Sequence, residues 1–534
     1  MVGTLMLGAM QYWPLRVTRL LDYAEREHGE REIVSFWADG STTRTDWGGI
    51  ARDSRKLARA LERLGMKKGD RVATLAMNHS RHLVCWYGTI GMGGIVHTVN
   101  PRLFEEQLVY IMNHAEDRVL FYDSSFRSLV EKLRPKLPTI EHFICFDPAE
   151  GEGFETLIAD EEDVYNWVDG DEREPCMLCY TSGTTGNPKG VLYEHRSSIL
   201  HALAGLQTDV FGLSRRAIVL PIVPMFHAAA WGLPFAAPIA GCKVVFTADY
   251  TPEVIHKLLL QEGVTHTAAV PTVWLGLMRH VDEIKGDFGK LQLLVIGGAA
   301  APRAMIDYFM KRGIRVCHAW GMTEMSPIGT TGALPHDWDE LDYEQQLDLI
   351  CRQGRIPFDV ELRIVDDDGQ LLPRDGKASG RLQTRGPWIV ERYFKEDEKA
   401  TDEEGWFDTG DVAILHPDGT LQITDRSKDV IKSGGEWISS IDLENAAVGC
   451  EGVAEAAAIG IHHPKWDERP LLLVVKAGGS EVTADEIRRH LEAHVAKWWL
   501  PDEIIFVDSL PHTATGKLLK TALRQQYRDY RFDS

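Results

Sequence analysis

Tyr180-Thr-Ser-Gly-Thr-Thr-Gly-Asn-Pro-Lys-Gly190 follows directly on the apolar run Cys176-Met-Leu-Cys179. A short buried strand that empties into a loop of glycines, hydroxyls and one lysine is suited to a polyphosphate. Glycines let backbone N–H groups come close, hydroxyls add donors, and the lysine adds charge. Thr181, Ser182, Gly183, Thr184, Thr185, Gly186 and Lys189 are therefore the candidate nucleotide-binding residues of this loop. It is not a Walker A loop, because Gly190 rather than Ser or Thr follows Lys189. A GxGxxG dinucleotide fingerprint is also missing. The plainer alternative, a solvated Ser/Thr/Gly turn, stays open on composition alone.

Outward from the loop, apolar runs alternate with helical patterns. Residues 71–76, 119–122, 243–246, 264–270 and 291–296 read as short buried strands. Thr251-Pro252-Glu253 offers an N-cap, a first-turn proline and a first-turn acid. Such alternation predicts α/β layers, with helices packed on sheets. After Asp425 the pattern changes to a smaller unit with its own strands and a helix opened by the capping box Thr483-Ala-Asp-Glu486. The predicted fold is a large layered α/β domain over residues 1–425 and a small, mobile α+β domain over residues 426–534. With no low-complexity linker between them, the joint reads as a hinge.

The chain has 534 residues, 44% hydrophobic and 26% charged, enough for a globular protein of several domain-sized units. A net charge of -21 argues against nucleic acid as a partner. Eight scattered cysteines do not form a disulfide framework and fit reduced thiols in the cytoplasm. Cys176 and Cys179 form a CxxC without a second pair at zinc spacing, and a strand is expected to send them to opposite faces. The apolar N-terminus reaches its first basic residue only at Arg16, unlike a signal peptide. Residues 217–242 carry no Lys, Arg, Asp or Glu, but Pro221, Pro224, Pro234 and Pro238 interrupt them. They predict a strand, a loop and a buried helix rather than a membrane span.

Five further motifs follow the phosphate loop in order. These are Gly297-Gly-Ala-Ala300, Trp320-Gly-Met-Thr-Glu324, Gly405-Trp-Phe-Asp-Thr-Gly-Asp411, Asp425-Arg-Ser-Lys-Asp-Val-Ile-Lys-Ser-Gly-Gly-Glu436 and Pro511-His-Thr-Ala-Thr-Gly-Lys517. With them the sequence resembles, over essentially its whole length, the adenylate-forming superfamily of acyl-CoA synthetases, adenylation domains and luciferases. Within it, Val223-Pro-Met-Phe-His-Ala-Ala-Ala-Trp231 resembles the gate segment of fatty acyl-CoA synthetases. The opening residues 3–23 and Gly434-Gly-Glu-Trp-Ile-Ser439 are similar to the medium-chain branch, and to bacterial ligases acting on 3-methylmercaptopropionate.

The resemblance implies an ATP-dependent ligase that joins a short or medium carboxylic acid to coenzyme A through an acyl-adenylate. Glu324 is the expected Mg²⁺ ligand, since hard Mg²⁺ prefers carboxylate and phosphate oxygens, with Thr184 or Thr185 beside it. Asp411 matches an aspartate that accepts from the ribose hydroxyls, and Arg426 the arginine on the ribose and phosphate side. Gly298, Ala299, Ala300, Trp320, Gly321, Met322 and Thr323 match positions around adenine and the acyl group, and Lys432 is counted with the nucleotide residues. Lys517 matches the catalytic lysine, with His227 beside the reacting carboxylate and Trp231 closing the acyl tunnel near Gly298. Lys428 matches the hinge. Ser433, Gly434, Gly435, Glu436 and Trp437 match the segment offered to CoA. A homodimer is implied at the family level.

Phe235, Val270, Pro271 and Trp274 are expected to border an apolar acyl pocket. Arg381 stands where the family usually shows Glu, which puts only local pairing in question. Three other functions compete: a stand-alone adenylation enzyme loading a carrier protein, a luciferase-like oxygenase and a non-catalytic acyl-adenylate sensor. The sensor is disfavoured because Lys189, Glu324, Asp411, Arg426 and Lys517 are all present.

Overall fold

The computed structural model describes residues 8–147, 153–181, 187–332, 334–434, 436–512 and 518–532. Two sheets dominate its larger part. The first runs, edge to edge, His142–Cys145, Asp117–Tyr122, Arg71–Leu75, Ile95–Thr98, Pro175–Tyr180 and Gly190–Glu194. It is parallel except for its last pair, which flanks the phosphate loop. The second sheet runs Arg315–His318, Leu293–Ile296, His266–Ala269, Ile218–Pro221, Lys243–Thr247, Glu32–Phe36 and Thr42–Asp46. It too is parallel except for its last pair.

The near-continuous apolar runs exist because these strands are covered on both faces. Successive residues feed different cores. Ile33 and Val72 point into a central cluster, together with Leu57 and Trp86 of the helices Trp47–Arg63 and Ser80–Gly91. Their neighbours Val34 and Ala73 instead join separate clusters on the outer faces. The layers are thus helix, sheet, helix, sheet, helix. The five expected strands are found, with the two at 264–270 and 291–296 trimmed to His266–Ala269 and Leu293–Ile296. Residues 217–242 contain the strand Ile218–Pro221, a 3₁₀ turn Ala228–Gly232 and the buried helix Leu233–Ala240. Among the described residues, no helix is long and apolar enough to cross a membrane.

A third, antiparallel sheet of Glu361–Val365, Ser379–Arg385, Phe407–Leu415 and Leu421–Arg426 closes the larger part. The smaller α+β part is a separate sheet. Val453–His463 and Asp467–Lys476 form its long antiparallel pair, and the other edge of Asp467–Lys476 carries Glu503–Phe506 and, at Asp467, the hairpin Ile431–Ser433 and Glu436–Ile438. Helices Ser440–Val448 and Ala484–Glu492 pack on one face of it, and Lys520–Gln526 on the other. The capping box forms as expected, the Thr483 hydroxyl accepting from Glu486 N–H at 3.3 Å. Thr251 stands at the N-cap of Pro252–Gln261 without a side-chain capping bond.

One expectation needs correction and one open point is answered. Cys176 and Cys179 do not diverge, since a β-bulge between Pro175 and Met177 turns both into the same central core. Burial pushes the thiols up to about 12 and about 11, so neither is a ready thiolate. Arg381 finds its own partner, Asp408 Oδ2 at 2.7 Å.

Candidate active site

A cavity of about 680 Å³ opens where the larger and smaller parts meet. Thr181, Lys189, His227, Trp231, Gly298, Ala299, Ala300, Trp320, Gly321, Met322, Thr323, Glu324, Asp411, Arg426 and Lys428 all line it. Residues scattered over some 250 positions of sequence are brought together because strand ends gather at one edge of the sheets, the usual place for ligands in α/β folds.

Asp411 and Arg426 come from adjacent antiparallel strands and are direct register partners. The Arg426 Nε donates to Asp411 Oδ1 at 2.8 Å, and the Trp320 indole donates to Oδ2 at 2.8 Å. Asp411 is buried while Arg426 stays partly open to the cavity. The carboxylate is therefore fixed in orientation, with its remaining lone pairs available to hydroxyl donors.

The segment bearing Glu324 is fastened along its length. Tyr193 donates to Thr323 O at 2.7 Å, Val390 N–H to Glu324 O at 2.8 Å, and Ser326 Oγ to Trp388 O at 3.0 Å. The Tyr393 hydroxyl donates to Glu324 Oε1 at 3.0 Å, and Lys189 Nζ lies 4.7 Å over the Tyr393 ring. Burial, reinforced by Glu324, holds the Tyr393 phenol protonated as a donor. Tyr393 thus joins the phosphate-loop lysine to the carboxylate. No sequence motif marked it.

Mg²⁺ that arrives on a nucleotide needs one or two carboxylates beside phosphate oxygens. Glu324 supplies one hard oxygen donor group facing the cavity, so this donor set fits. Among the described residues, no group of three or more metal-type side chains is assembled.

The wall near His227 has unusual backbone. Ala228, Ala229, Ala230 and Trp231 take φ of 44°, 52°, 48° and 57°, and Gly232 continues at 76°. Left-handed helical geometry costs an L-residue roughly 1–2 kcal/mol, so the surroundings must over-determine it. They do so from both sides. Buried Asn78 clamps the approach by accepting from Met225 N–H and donating to Pro221 O and Val223 O. At the far end a Cβ on Gly232 would fall 2.5 Å from the His201 ring. Trp231 itself meets Gly297, where a Cβ would lie 3.0 Å from the indole.

Not every expected residue lies here. Of the acyl-pocket set, Pro271 lines the cavity, but Phe235 and Trp274 are fully buried in core clusters, and Val270 is the N-cap of the helix Pro271–Glu283. Both aromatics pack on neighbouring helices, Phe235 on Trp86 and Tyr87 and Trp274 on Phe309, so their apolar character serves packing. Thr272, Leu275, Gly276 and Arg279 of that helix face the cavity instead, a one-face spacing legible only once the helix is placed.

Lys432, Ser433, Gly434 and Trp437 are not in the cavity wall. Lys432 is exposed and opposes Trp437 across the hairpin, Ser433 accepts from Arg469, and Gly434 N–H donates to Trp466 O. Glu436 begins the second hairpin strand. Ser182, Gly183, Thr184, Thr185, Gly186, Gly435 and Lys517 lie outside the described residues. His512 and Leu518, which bracket the Lys517 segment, pair across an isolated bridge, and both line the cavity.

The AMP-binding enzyme family matches residues 21–394, and the AMP-binding enzyme C-terminal domain matches residues 442–517. The chain is 47% identical to a 3-methylmercaptopropionyl-CoA ligase of Ruegeria lacuscaerulensis, over 98% of this chain and 99% of that one. It is 44% identical to a medium-chain-fatty-acid–CoA ligase of Ectopseudomonas oleovorans, over 98% of each. Among solved structures, the anthranilate CoA ligase AuaEII in complex with anthranoyl-AMP shares the fold. It superposes with a TM-score of 0.86 at 23% identity, covering 96% of this chain and 98% of that one.

Proposed function

The chain belongs to the AMP-binding enzyme family and is an ATP-dependent acyl-CoA ligase working through an acyl-adenylate, and on that premise we propose that its acid is 3-methylmercaptopropionate. The observation that supports this most is the near full-length identity to a 3-methylmercaptopropionyl-CoA ligase. A cavity wall with Trp231 pressed on Gly297 suits a short thioether acid. A medium-chain fatty acid is the second reading, favoured by the almost equal identity to a medium-chain ligase.

In the first half-reaction a carboxylate oxygen of the acid attacks the α-phosphorus of ATP. The P–O bond to the β-phosphate breaks, and pyrophosphate leaves. Charge gathers on the phosphoryl oxygens, so positioned cations do most of the work. Lys189 serves the phosphates, and Lys517 bridges carboxylate and α-phosphate oxygens. Asp411, braced by Trp320 and Arg426, takes the ribose hydroxyls. Mg²⁺, held by Glu324 with Thr184 or Thr185, would offset phosphate charge. In the second half-reaction the CoA sulfur attacks the acyl carbon and AMP leaves.

We divide the chain into residues 1–425 and 426–534, with Lys428 as the hinge. Adenylate formation calls for an arrangement that brings Lys517 to the reacting oxygens. Thioester formation calls for a turn that withdraws the Lys517 segment and offers Ser433, Gly434, Gly435, Glu436 and Trp437 to CoA. A cytoplasmic homodimer accompanies this reading. Eight cysteines outside any disulfide suit the reducing compartment, while the homodimer follows from the family resemblance alone and is tested by light scattering.

A panel of acids from C2 to C12 plus 3-methylmercaptopropionate, assayed by pyrophosphate release with and without CoA, decides the substrate. The thioether acid is expected to show the highest kcat/KM. A maximum at a C6 to C10 acid would give the second reading its place.

A further inference from the structure

In the cavity wall, a buried cation is tied to two buried carboxylates. Lys520, only 7% exposed, opens the helix Lys520–Gln526. Its Nζ donates to Ser440 Oγ at 2.5 Å and pairs with Glu444 Oε1 at 2.7 Å. The Ser440 hydroxyl donates in turn to Asp425 Oδ2 at 2.7 Å, and Ser440 N–H reaches the same oxygen at 2.6 Å. Asp425 Oδ1 accepts from Arg426 N–H at 2.7 Å, and Glu444 also accepts from Ala458 N–H at 2.8 Å.

These groups belong to different parts of the molecule. Asp425 lies at the end of the strand Leu421–Arg426, one residue before the arginine that pairs with Asp411. Ser440 and Glu444 are on the helix Ser440–Val448 of the smaller part. Lys520 comes two residues after Leu518, which lines the cavity, and three after Lys517. A single hydroxyl therefore links the segment that bears Lys517 to the strand that bears Arg426.

Burying a cation and two carboxylates is costly. Burial pushes the Glu444 carboxyl up to about 7 and Asp425 above its ordinary value, while Lys520 stays charged because Glu444 and Asp425 outweigh its own desolvation. Apolar side chains of similar size would serve stability as well or better. What a hydrogen-bonded ion cluster adds is direction, since it is satisfied in one relative placement and penalised in others.

We propose that Lys520 is a positioning residue for adenylate formation: the bridge Lys520–Ser440–Asp425 holds the smaller part so that His512 and Leu518, which flank Lys517 in sequence, line the cavity, and it parts between Ser440 and Asp425 when the smaller part turns for thioester formation. This rests on the role given to Lys517 above.

The test measures both half-reactions on the full-length protein, as pyrophosphate release and as thioester formation from supplied acyl-adenylate and CoA. Lys520→Met is expected to lower the adenylation kcat about 10- to 100-fold, the worth of one charge-assisted hydrogen bond, and to spare the thioester step. Lys520→Arg restores most of the loss. Ser440→Ala shifts the balance the same way, and the Lys520→Met/Ser440→Ala double variant is no worse than Lys520→Met. Equal loss in both half-reactions, no loss in either, or additive losses in the double variant would each overturn the bridge. Lys517→Ala, run beside them, separates the two levels. If it loses adenylation while Lys520→Met does not, only the bridge falls; if it keeps adenylation, the Lys517 role and the bridge fall together.

Discussion

Arg426 and Asp411 stand opposite one another on adjacent antiparallel strands, Nε to Oδ1 at 2.8 Å, while the Trp320 indole holds the second carboxylate oxygen. A buried carboxylate braced on both oxygens is a rigid acceptor, which suits the ribose role proposed for it. Asp411→Asn replaces one acceptor oxygen with a donor and leaves either Arg426 or Trp320 facing an N–H. Loss of a charge-assisted hydrogen bond costs about 1.5–3 kcal/mol, so kcat/KM for ATP is expected to fall about 10- to 100-fold. Steady-state kinetics at saturating acid checks this, and an unchanged KM for ATP would remove Asp411 from the nucleotide site.

In the proposed reading Trp231, packed against Gly297, closes the acyl side of the cavity. Trp231→Ala removes the ring and is expected to move the optimum of the acid panel to longer chains. Short acids should lose affinity as apolar contact disappears. An unaltered length profile with unaltered ATP dependence would argue against a gate.

The motif order and the two-part architecture are legible because each rests on local chemistry. Gly297 ends a strand, Thr483 and Glu486 cap a helix, and proline interrupts residues 217–242, all within a few positions of sequence. What sequence could not show depends on register across the fold. Tyr393 reaches Glu324 from 69 positions away, Asn78 clamps a segment about 145 positions on, and Lys520 matters only beside Ser440 and Asp425. Phe235 and Trp274 fail for a related reason: apolar residues near a pocket and apolar residues in a core look alike until the helix face is known.

Gly321 carries a constraint that no side chain can meet. A Cβ there would lie 1.9 Å from Pro327 O, within the turn that presents Glu324. Gly321→Ala must push that turn away from its ladder partner Ile328. The expected result is lower stability by about 1–3 kcal/mol, the range for overpacking, together with a greater Mg²⁺ requirement for pyrophosphate release. Denaturant melts and Mg²⁺ titration of the variant read the two effects.

Acid should weaken the fold through its buried neutral histidines. Burial lowers His82 and His201 from about 6.5 to about 3. The unfolded chain takes up a proton below pH 6.5, whereas the folded one resists until about pH 3. Stability therefore falls as pH drops through that window and is unaffected by these groups above it. The slope is at most about 1.4 kcal/mol per pH unit for each histidine. His201 accepts from Ile328 N–H at 3.1 Å, a bond that a glutamine carbonyl can replace. Denaturant unfolding at pH 7 and pH 5 is expected to show a smaller acid loss in His201→Gln than in the wild type. An equal loss would show that His201 takes no part in the window.

Lys428 lies in the short turn between the strand that carries Arg426 and the hairpin that carries Ser433 and Trp437. Arg426 O accepts from both Asp429 N–H and Val430 N–H, so the chain reverses there within four residues. Rotation of the smaller part needs φ and ψ changes somewhere in this turn. Proline fixes φ near -65° and also restricts the residue before it. Lys428→Pro is expected to keep pyrophosphate release within about threefold, because Lys189, Glu324, Asp411 and Arg426 already line the cavity. Thioester formation from supplied acyl-adenylate should fall by at least about 10-fold, because Ser433, Gly434 and Trp437 lie outside the cavity wall and, in the proposed reading, are carried into it for CoA. A variant that turns over acid, ATP and CoA at the wild-type rate would mean that the rotation has its pivot elsewhere, or that CoA reaches the adenylate without one.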